Sequence, residues 1–495
     1  MAQPNILWLM GDHWAFKHHV DLYDQLKLET YEDLGKQGVL FDQAYSVCPL
    51  CQPTRSSMLT GTYPHRHGIL LNDEESGGRF RFAPDQKMVT HYLQAAGYRN
   101  VYFGKWHCGR DKIARDWGFE GWSLPGYGAP YKSREYADYL AEQGLPRPQV
   151  LIEWDVRNPE NVGKTFRLGE VEVAGFGPWV AAGKLDAPLE THEAEFTAHL
   201  ACRWLEENAR GSQPFFMRVD VWGPHPPYHS AGEFIDRVDP GSLDPYPGFG
   251  QHFDGMPGNF EFSTERWDKG ERTRNWPWWR TGLARCFEQV MIVDHALGRV
   301  VTTLDRLGLA DDTLVIYTAD HGDLIAAHGG KMNKDTLMLE ETMRVPLVLR
   351  WPARFGGGKL SRALVSNVDP VATALDAAGI PSLPEDFDCE SMLALCVAPQ
   401  AAGRHALMCE DHGESAIEYF QRMIRWKDYK YVPHLDDLDE LYHLAEDPFE
   451  LRNLVHEPEY ASVLREGRDV ARELMEKHRD CSADAGKLKQ QLRNH

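Results

Sequence analysis

Short apolar runs punctuate the first 350 residues at wide intervals. Residues 6–10, 100–103, 215–222, 313–317 and 345–349 are nearly continuous in branched and aromatic side chains. A strand buried on both faces reads this way, because neither face meets water and the two-residue alternation vanishes. Between them, residues 91–96, 193–207 and 284–307 repeat apolar positions at helical spacing. Strands alternating with helices predict an α/β fold, with a large, mostly parallel sheet sandwiched by helices. Four of the runs end at or just before polar clusters, and ligands of such sheets bind beyond the strands' carboxyl ends.

The pattern changes near residue 384. Residues 423–432 read as one strand and Glu440-Leu441-Tyr442-His443-Leu444 as another, before a turn at Glu446-Asp447-Pro448. Residues 460–477 read as a long amphipathic helix. The expected division is an α/β domain over 1–384 and a smaller C-terminal α+β domain over 385–495. Two stretches, 123–189 and 228–279, are rich in glycine, proline and aromatics and show no period. They read as long loops over the sheet edge, of the kind that lines a site or packs as a contact surface. The second ends in Trp276-Pro277-Trp278-Trp279, which leaves room for self-association into a homo-oligomer.

Charge narrows the partners. There are 53 basic and 74 acidic side chains, a formal net charge of −21. Such a surface repels nucleic acid and anionic lipid, so neither is expected as a partner. Nine cysteines are scattered without a regular framework, unlike a disulfide-stapled secreted protein. The first residues carry no basic region before the apolar run, and no segment approaches membrane-spanning length. The expectation is a cytoplasmic protein.

Candidate chemistry concentrates at a few points. Cys51-Gln52-Pro53-Thr54-Arg55 places a cysteine ahead of a helix-compatible run ending at Thr60-Gly61. Cys48 and Cys51 also form a Cys-x-x-Cys pair, which elsewhere reads as a redox dithiol or half a zinc site. No second such pair supplies the other half. Asp12-His13 follows the first run, and Asp320-His321-Gly322-Asp323 follows the run at 313–317. Singly such acids cap helices or turns; together at strand ends they suit a metal. Gly104-Lys105-Trp106-His107 follows another run, and Pro224-His225-Pro226-Pro227 holds a histidine on a stiff turn.

The cysteine motif with its continuation to Gly68, followed in order by these segments, resembles the type I sulfatases of the alkaline-phosphatase superfamily. The resemblance runs from residue 4 to about residue 455, interrupted at the two long loops. It implies that a formylglycine-generating enzyme converts Cys51 to formylglycine, whose hydrate attacks sulfur. It further implies one divalent metal ion, calcium or manganese, held by Asp12, His13, residue 51, Asp320 and His321. His13 stands where a second aspartate is usual, and imidazole suits manganese better than calcium. Arg55 would stabilise the nucleophile's oxygen and Lys105 would bridge it to sulfate. His107 would act as the base of the second step. His225 would contact sulfate and, like Lys334, could protonate the leaving group; Lys331 competes with Lys334 for its place. Asn72 fits either a polar contact to the substrate or a turn residue. The implied activity is hydrolysis of a small anionic ester, an aryl or carbohydrate sulfate. Phosphonate monoester and phosphodiester hydrolases look similar: Asp320-His321 leans toward them, Lys105 and His107 toward sulfate. A Cys48–Cys51 dithiol protein is the alternative outside hydrolysis.

Overall fold

The computed structural model describes residues 3–72, 81–169, 176–209, 211–261, 274–334, 336–380, 387–414 and 417–494. Its main sheet has eight strands. In spatial order they are Lys359–Ser366, Val39–Tyr45, Leu347–Arg350, Thr313–Ala319, Asn5–Gly11, Phe215–Asp220, Arg99–Lys105 and Glu120–Leu124. The five apolar runs are the five central strands. Only Leu347–Arg350 runs antiparallel to its neighbours. The three outer strands mix buried with partly or fully exposed positions, so no continuous apolar run marks them.

Register sets what the sheet presents. Gly11 lies opposite Ala319, Met10 opposite Asp220, and Asp220 opposite Gly104. The residues one step on, Asp12, Asp320 and Lys105, therefore emerge at one level on the carboxyl edge, beside Asp220. Gly104 has φ +113°, and a Cβ there would collide with the Asp220 carbonyl oxygen, so this approach needs glycine. Helices Glu193–Asn208 and Trp276–Arg306 pack together on the sheet. Proline in the first turn lets the tryptophan cluster open the second helix, eight residues before the start that its period predicts. Among the described residues no helix is long and apolar enough to cross a membrane.

Stretch 123–189 is not a loop in its described part; residues 170–175 lie outside it. It supplies helix Arg134–Gln143 and three strands of a second sheet, ordered Thr165–Arg167, Gln149–Asp155, Ala181–Leu185, Tyr228–Ser230. Val150, Ile152, Tyr131, Tyr136, Phe196 and Trp222 give it an apolar core of its own. Stretch 228–279 gives the fourth strand and short turns, with residues 262–273 outside the described set.

The C-terminal part is a four-stranded antiparallel sheet, Ala406–Glu414, Ile417–Trp426, Tyr429–Val432 and Glu440–His443, with helices Ala461–Lys477 and Ala483–Asn494. The single strand expected over 423–432 is a hairpin. Lys427, at φ 47°, turns the chain back at Lys427-Asp428, a break that its polar but ordinary residues did not announce. Residue 384, the expected boundary, lies outside the described residues. The apolar core runs on without a gap: Trp426, Tyr431 and Leu474 belong to the same cluster as Leu7 and Val315. The seam is also polar and buried. Glu410 donates its N–H to the Val47 carbonyl at 2.9 Å, Arg425 donates to the Tyr45 hydroxyl at 2.9 Å, and Lys430 lies 2.6 Å from Glu450 and 3.5 Å from Glu340.

Candidate active site

Helix Cys51–Thr60 points its N-terminus at the carboxyl edge of the sheet, and all ten of its residues are buried. Cys51 is its first residue. The Asn72 amide oxygen accepts the Gln52 N–H at 2.9 Å, taking up one of the free donors of that first turn. Asn72 thus steadies the helix that carries Cys51. Cys51 Sγ lies 3.0 Å from His321 Nε2, while His321 Nδ1 lies 2.9 Å from the Gly322 carbonyl oxygen. A proton on Nδ1 satisfies that carbonyl and leaves the Nε2 lone pair directed at residue 51.

Arg55 is spread over the acids rather than held against the nucleophile. It donates through Nε to Asp320 at 2.8 Å and through its other nitrogens to Asp12 at 3.3 Å, Asp220 at 3.5 Å and the Lys105 carbonyl at 3.0 Å. Lys105 Nζ lies 2.5 Å from the second Asp12 oxygen. Burial alone would raise the Asp12 pKa, but Lys105 and Arg55 override it and hold the carboxyl well below its usual range. Asp320 goes the other way, raised by burial and by the Asp12 charge beside it.

The histidines are buried and depressed. Burial, reinforced by Lys105, holds His107 well below its usual pKa, and its Nδ1 has no hydrogen-bond partner among the described residues. His225 is likewise lowered by burial, with Nδ1 2.6 Å from the Pro226 carbonyl oxygen. His13 departs from the expected ligand role. At φ 62° its N–H reaches Asp320 at 2.9 Å, while the ring turns toward Asp323, whose oxygen lies 3.5 Å from Nε2. Its ring nitrogens are buried without hydrogen-bond partners among the described residues, and its centroid sits 4.8 Å from that of His225.

The two lysines separate. Lys331 donates to the Phe260 carbonyl at 2.7 Å and lies 4.4 Å from the centre of the Phe253 ring. Lys334 is buried, and although burial opposes its charge, Cys51, Glu414 and Asp12 raise its pKa. Lys334 is therefore the lysine electrostatically tied to residue 51.

Asp12, Cys51, Asp320 and His321 are all buried, and their donor atoms lie within 4.8 Å of one another. His13 is not in this group. The set fits a divalent cation: two crowded carboxylates that it would neutralise, and an imidazole whose far nitrogen faces a carbonyl.

Several residues here carried no sequence signal of their own. Asp220 lies inside the apolar run read as reaching 222, ends the observed strand, and holds Arg218 at 2.7 Å and the Tyr102 hydroxyl at 2.7 Å. Glu193 accepts the N–H groups of Gly223 at 2.7 Å and Trp222 at 3.2 Å, fixing the turn that bears His225; burial pushes its pKa up to about 7. Tyr127 and Trp179 come from the stretch read as a loop, and their ring centroids lie 5.2 and 5.4 Å from that of His225. All nine cysteines are free, and burial raises the Cys48 thiol well above its usual pKa, which leaves it poorly suited to thiolate exchange.

A mostly parallel sheet presenting acids, cations and histidines around a buried helix N-terminus has the make-up of an ester-hydrolase site. Residues 4–380 match the family model described as Sulfatase, and residues 330–479 match that of the N-sulphoglucosamine sulphohydrolase C-terminal region. The chain belongs to the sulfatase family, enzymes that hydrolyse sulfate esters. It is 25% identical to an ulvan-active sulfatase of Formosa agariphila, over 94% of this chain and 80% of that protein. An N-acetylglucosamine-6-O-sulfatase of Bacteroides thetaiotaomicron is 24% identical, over 97% and 88%. The phosphonate monoester hydrolase structure from Agrobacterium radiobacter superposes with a TM-score of 0.73 at 20% identity, over 96% of each chain, and shares the fold.

Proposed function

We propose that this enzyme hydrolyses carbohydrate sulfate esters at residue 51, after a formylglycine-generating enzyme has converted Cys51 to formylglycine. The observation that carries this reading is the position of Cys51: first in a buried helix, 3.0 Å from His321 Nε2 and within 4.8 Å of the Asp12 and Asp320 donors. A divalent ion held by Asp12, residue 51, Asp320 and His321 would supply Lewis-acid activation of the sulfuryl group. Lys105 and Lys334 bring positive charge to an anionic ester on a protein whose overall charge is negative.

In the proposed sequence, one hydroxyl of hydrated residue 51 loses its proton to solvent, and its oxygen bonds to sulfur as the bond from sulfur to the ester oxygen breaks. Lys334 supplies the proton to the departing alcohol. His225 does not suit that role, because burial keeps it neutral and its Nδ1 proton faces the Pro226 carbonyl. Its proposed role is instead contact with the sulfuryl oxygens. His107, also held neutral, takes the proton from the remaining hydroxyl of residue 51. The carbon–oxygen bond to sulfate then breaks, the aldehyde re-forms, and water hydrates it again.

The sugar preference rests on the two carbohydrate-named relatives and on the half-buried rings of Tyr127 and Trp179 beside His225. A second reading, phosphonate monoester hydrolysis, is favoured by Asp320-His321 and by the phosphonate monoester hydrolase fold neighbour. The test has two parts. Mass analysis of the peptide containing residue 51 should show the aldehyde or its hydrate. Rates on 6-O-sulfated N-acetylglucosamine, an aryl sulfate, an aryl phosphonate and a phosphodiester should rank the sulfates first. A phosphonate rate above every sulfate rate establishes the second reading, and an unmodified thiol in fully active protein refutes the formylglycine route.

A further inference from the structure

We infer that Tyr127 is a positioning residue of the active site, its ring holding the Lys105 ammonium in place; the inference rests on the ester-hydrolase reading above. Lys105 Nζ lies 4.0 Å from the centre of the Tyr127 ring and 2.5 Å from an Asp12 oxygen. An ammonium that is 0% exposed is thereby held between a carboxylate and an aromatic ring. A flexible four-carbon stem needs such a seat, because its charge alone does not fix where the head lies. A desolvated cation over a ring is attracted by the ring's negative face, and the attraction strengthens as water is excluded.

The same ring meets the two histidines flanking the lysine. Its centroid lies 5.5 Å from that of His107 and 5.2 Å from that of His225, both edge to face. Trp179 backs the arrangement at 5.0 Å from Tyr127. The backbone around Tyr127 is tied to the segments that it organises. The Gly126 carbonyl accepts the His107 N–H at 3.1 Å, and the Tyr127 carbonyl accepts the Trp222 indole N–H at 2.7 Å. The ring is thus placed by the backbone of one catalytic segment and by the indole of Trp222, three residues before His225. One side chain from outside the five central strands touches three residues assigned to sulfate contact and proton transfer.

The assignment makes the ring essential and the hydroxyl dispensable. Tyr127→Phe is expected to keep at least half of wild-type kcat on the ester that the wild-type enzyme turns over fastest. Tyr127→Leu is expected to lower kcat about 10- to 100-fold, with KM changed less than threefold. Tyr127→Phe falling as far as Tyr127→Leu would assign the role to the hydroxyl and overturn the inference.

A double-mutant cycle separates positioning from mere packing. In the Lys105→Met background, Tyr127→Leu should cost less than threefold further, because the cation it seats is gone. Additive losses overturn the inference. An inactive wild-type enzyme overturns the functional reading beneath it instead. A second readout does not depend on turnover. In protein labelled with 13C at lysine Cε, the Lys105 resonance, assigned by its loss in Lys105→Met, should be ring-shifted upfield in wild type and Tyr127→Phe. It should return to the lysine envelope in Tyr127→Leu; an unshifted wild-type resonance overturns the placement.

Discussion

Cys51→Ala is expected to abolish turnover and leave the melting temperature close to that of the wild type. The lost group is a small side chain at the start of a helix that is otherwise fully packed. Full activity in that variant would sink the mechanism. The two lysines make a sharper pair. Lys334→Ala should lower kcat by two orders of magnitude or more, because that charge is the assigned proton donor. Lys331→Ala should act mainly on stability, since it removes a buried donor from the Phe260 carbonyl. Arg55→Ala leaves Asp12, Asp220 and Asp320 without their shared guanidinium, and breaking one partner from a buried ion network costs about 3–5 kcal/mol. Urea unfolding reads this directly. At this scale Lys105 and Asp320 stood out because each follows an apolar run, and Cys51 because of the Cys51-Gln52-Pro53-Thr54-Arg55 motif itself. Tyr127 and Glu193 were not, since contacts to sites far away in the chain leave no local pattern.

Elements were legible where both faces are buried. The five central strands announced themselves, whereas Val39–Tyr45 and Lys359–Ser366 meet solvent in part and blurred into their surroundings. Gln149–Asp155 does alternate, with Val150, Ile152 and Trp154 inward and Leu151 42% exposed. Its glycine- and proline-rich flanks obscured that period. One short element carries a pH dependence. Helix Pro64–His67 docks on the C-terminal sheet through His65, whose Nδ1 lies 2.6 Å from Glu410. Burial alone would depress this imidazole, but Glu410 overrides it and the pKa is pushed up to about 9. Because the folded value lies above the unfolded one of about 6.5, the stabilisation is complete below pH 6.5 and is lost as pH rises through 9. It is on the order of 3 kcal/mol at most. The melting temperature should therefore fall between pH 6.5 and 9 and the slope should flatten in His65→Gln; an unchanged slope would remove His65 from the account.

For the whole molecule, a bound divalent ion should act as a stabiliser, because its donors come from three parts of the chain that meet only in the folded state. At a free concentration 100 times Kd the gain is about 2.7 kcal/mol. Chelation should accordingly lower the melting temperature and abolish turnover together, and adding back manganese or calcium should restore both. Loss of activity with no thermal shift would place the metal elsewhere. The α/β class and the order of site segments were legible because each depends on local runs. Sheet order was not, because pairing such as Tyr45 with Ser366 joins residues remote in sequence.

The buried seam between the main sheet and the C-terminal sheet has a consequence for engineering. The Arg425 side chain reaches Tyr45 and Lys430 sits between Glu340 and Glu450. Exchanging the C-terminal segment with that of a relative, to recruit a different specificity, would strand these charges unless both banks of the seam travel together. The useful chimera junction is therefore not the bend in composition near residue 384. The transplant must carry Tyr45 and Glu340 along with the segment after 385, so that recombination respects the contact map and not the linear order.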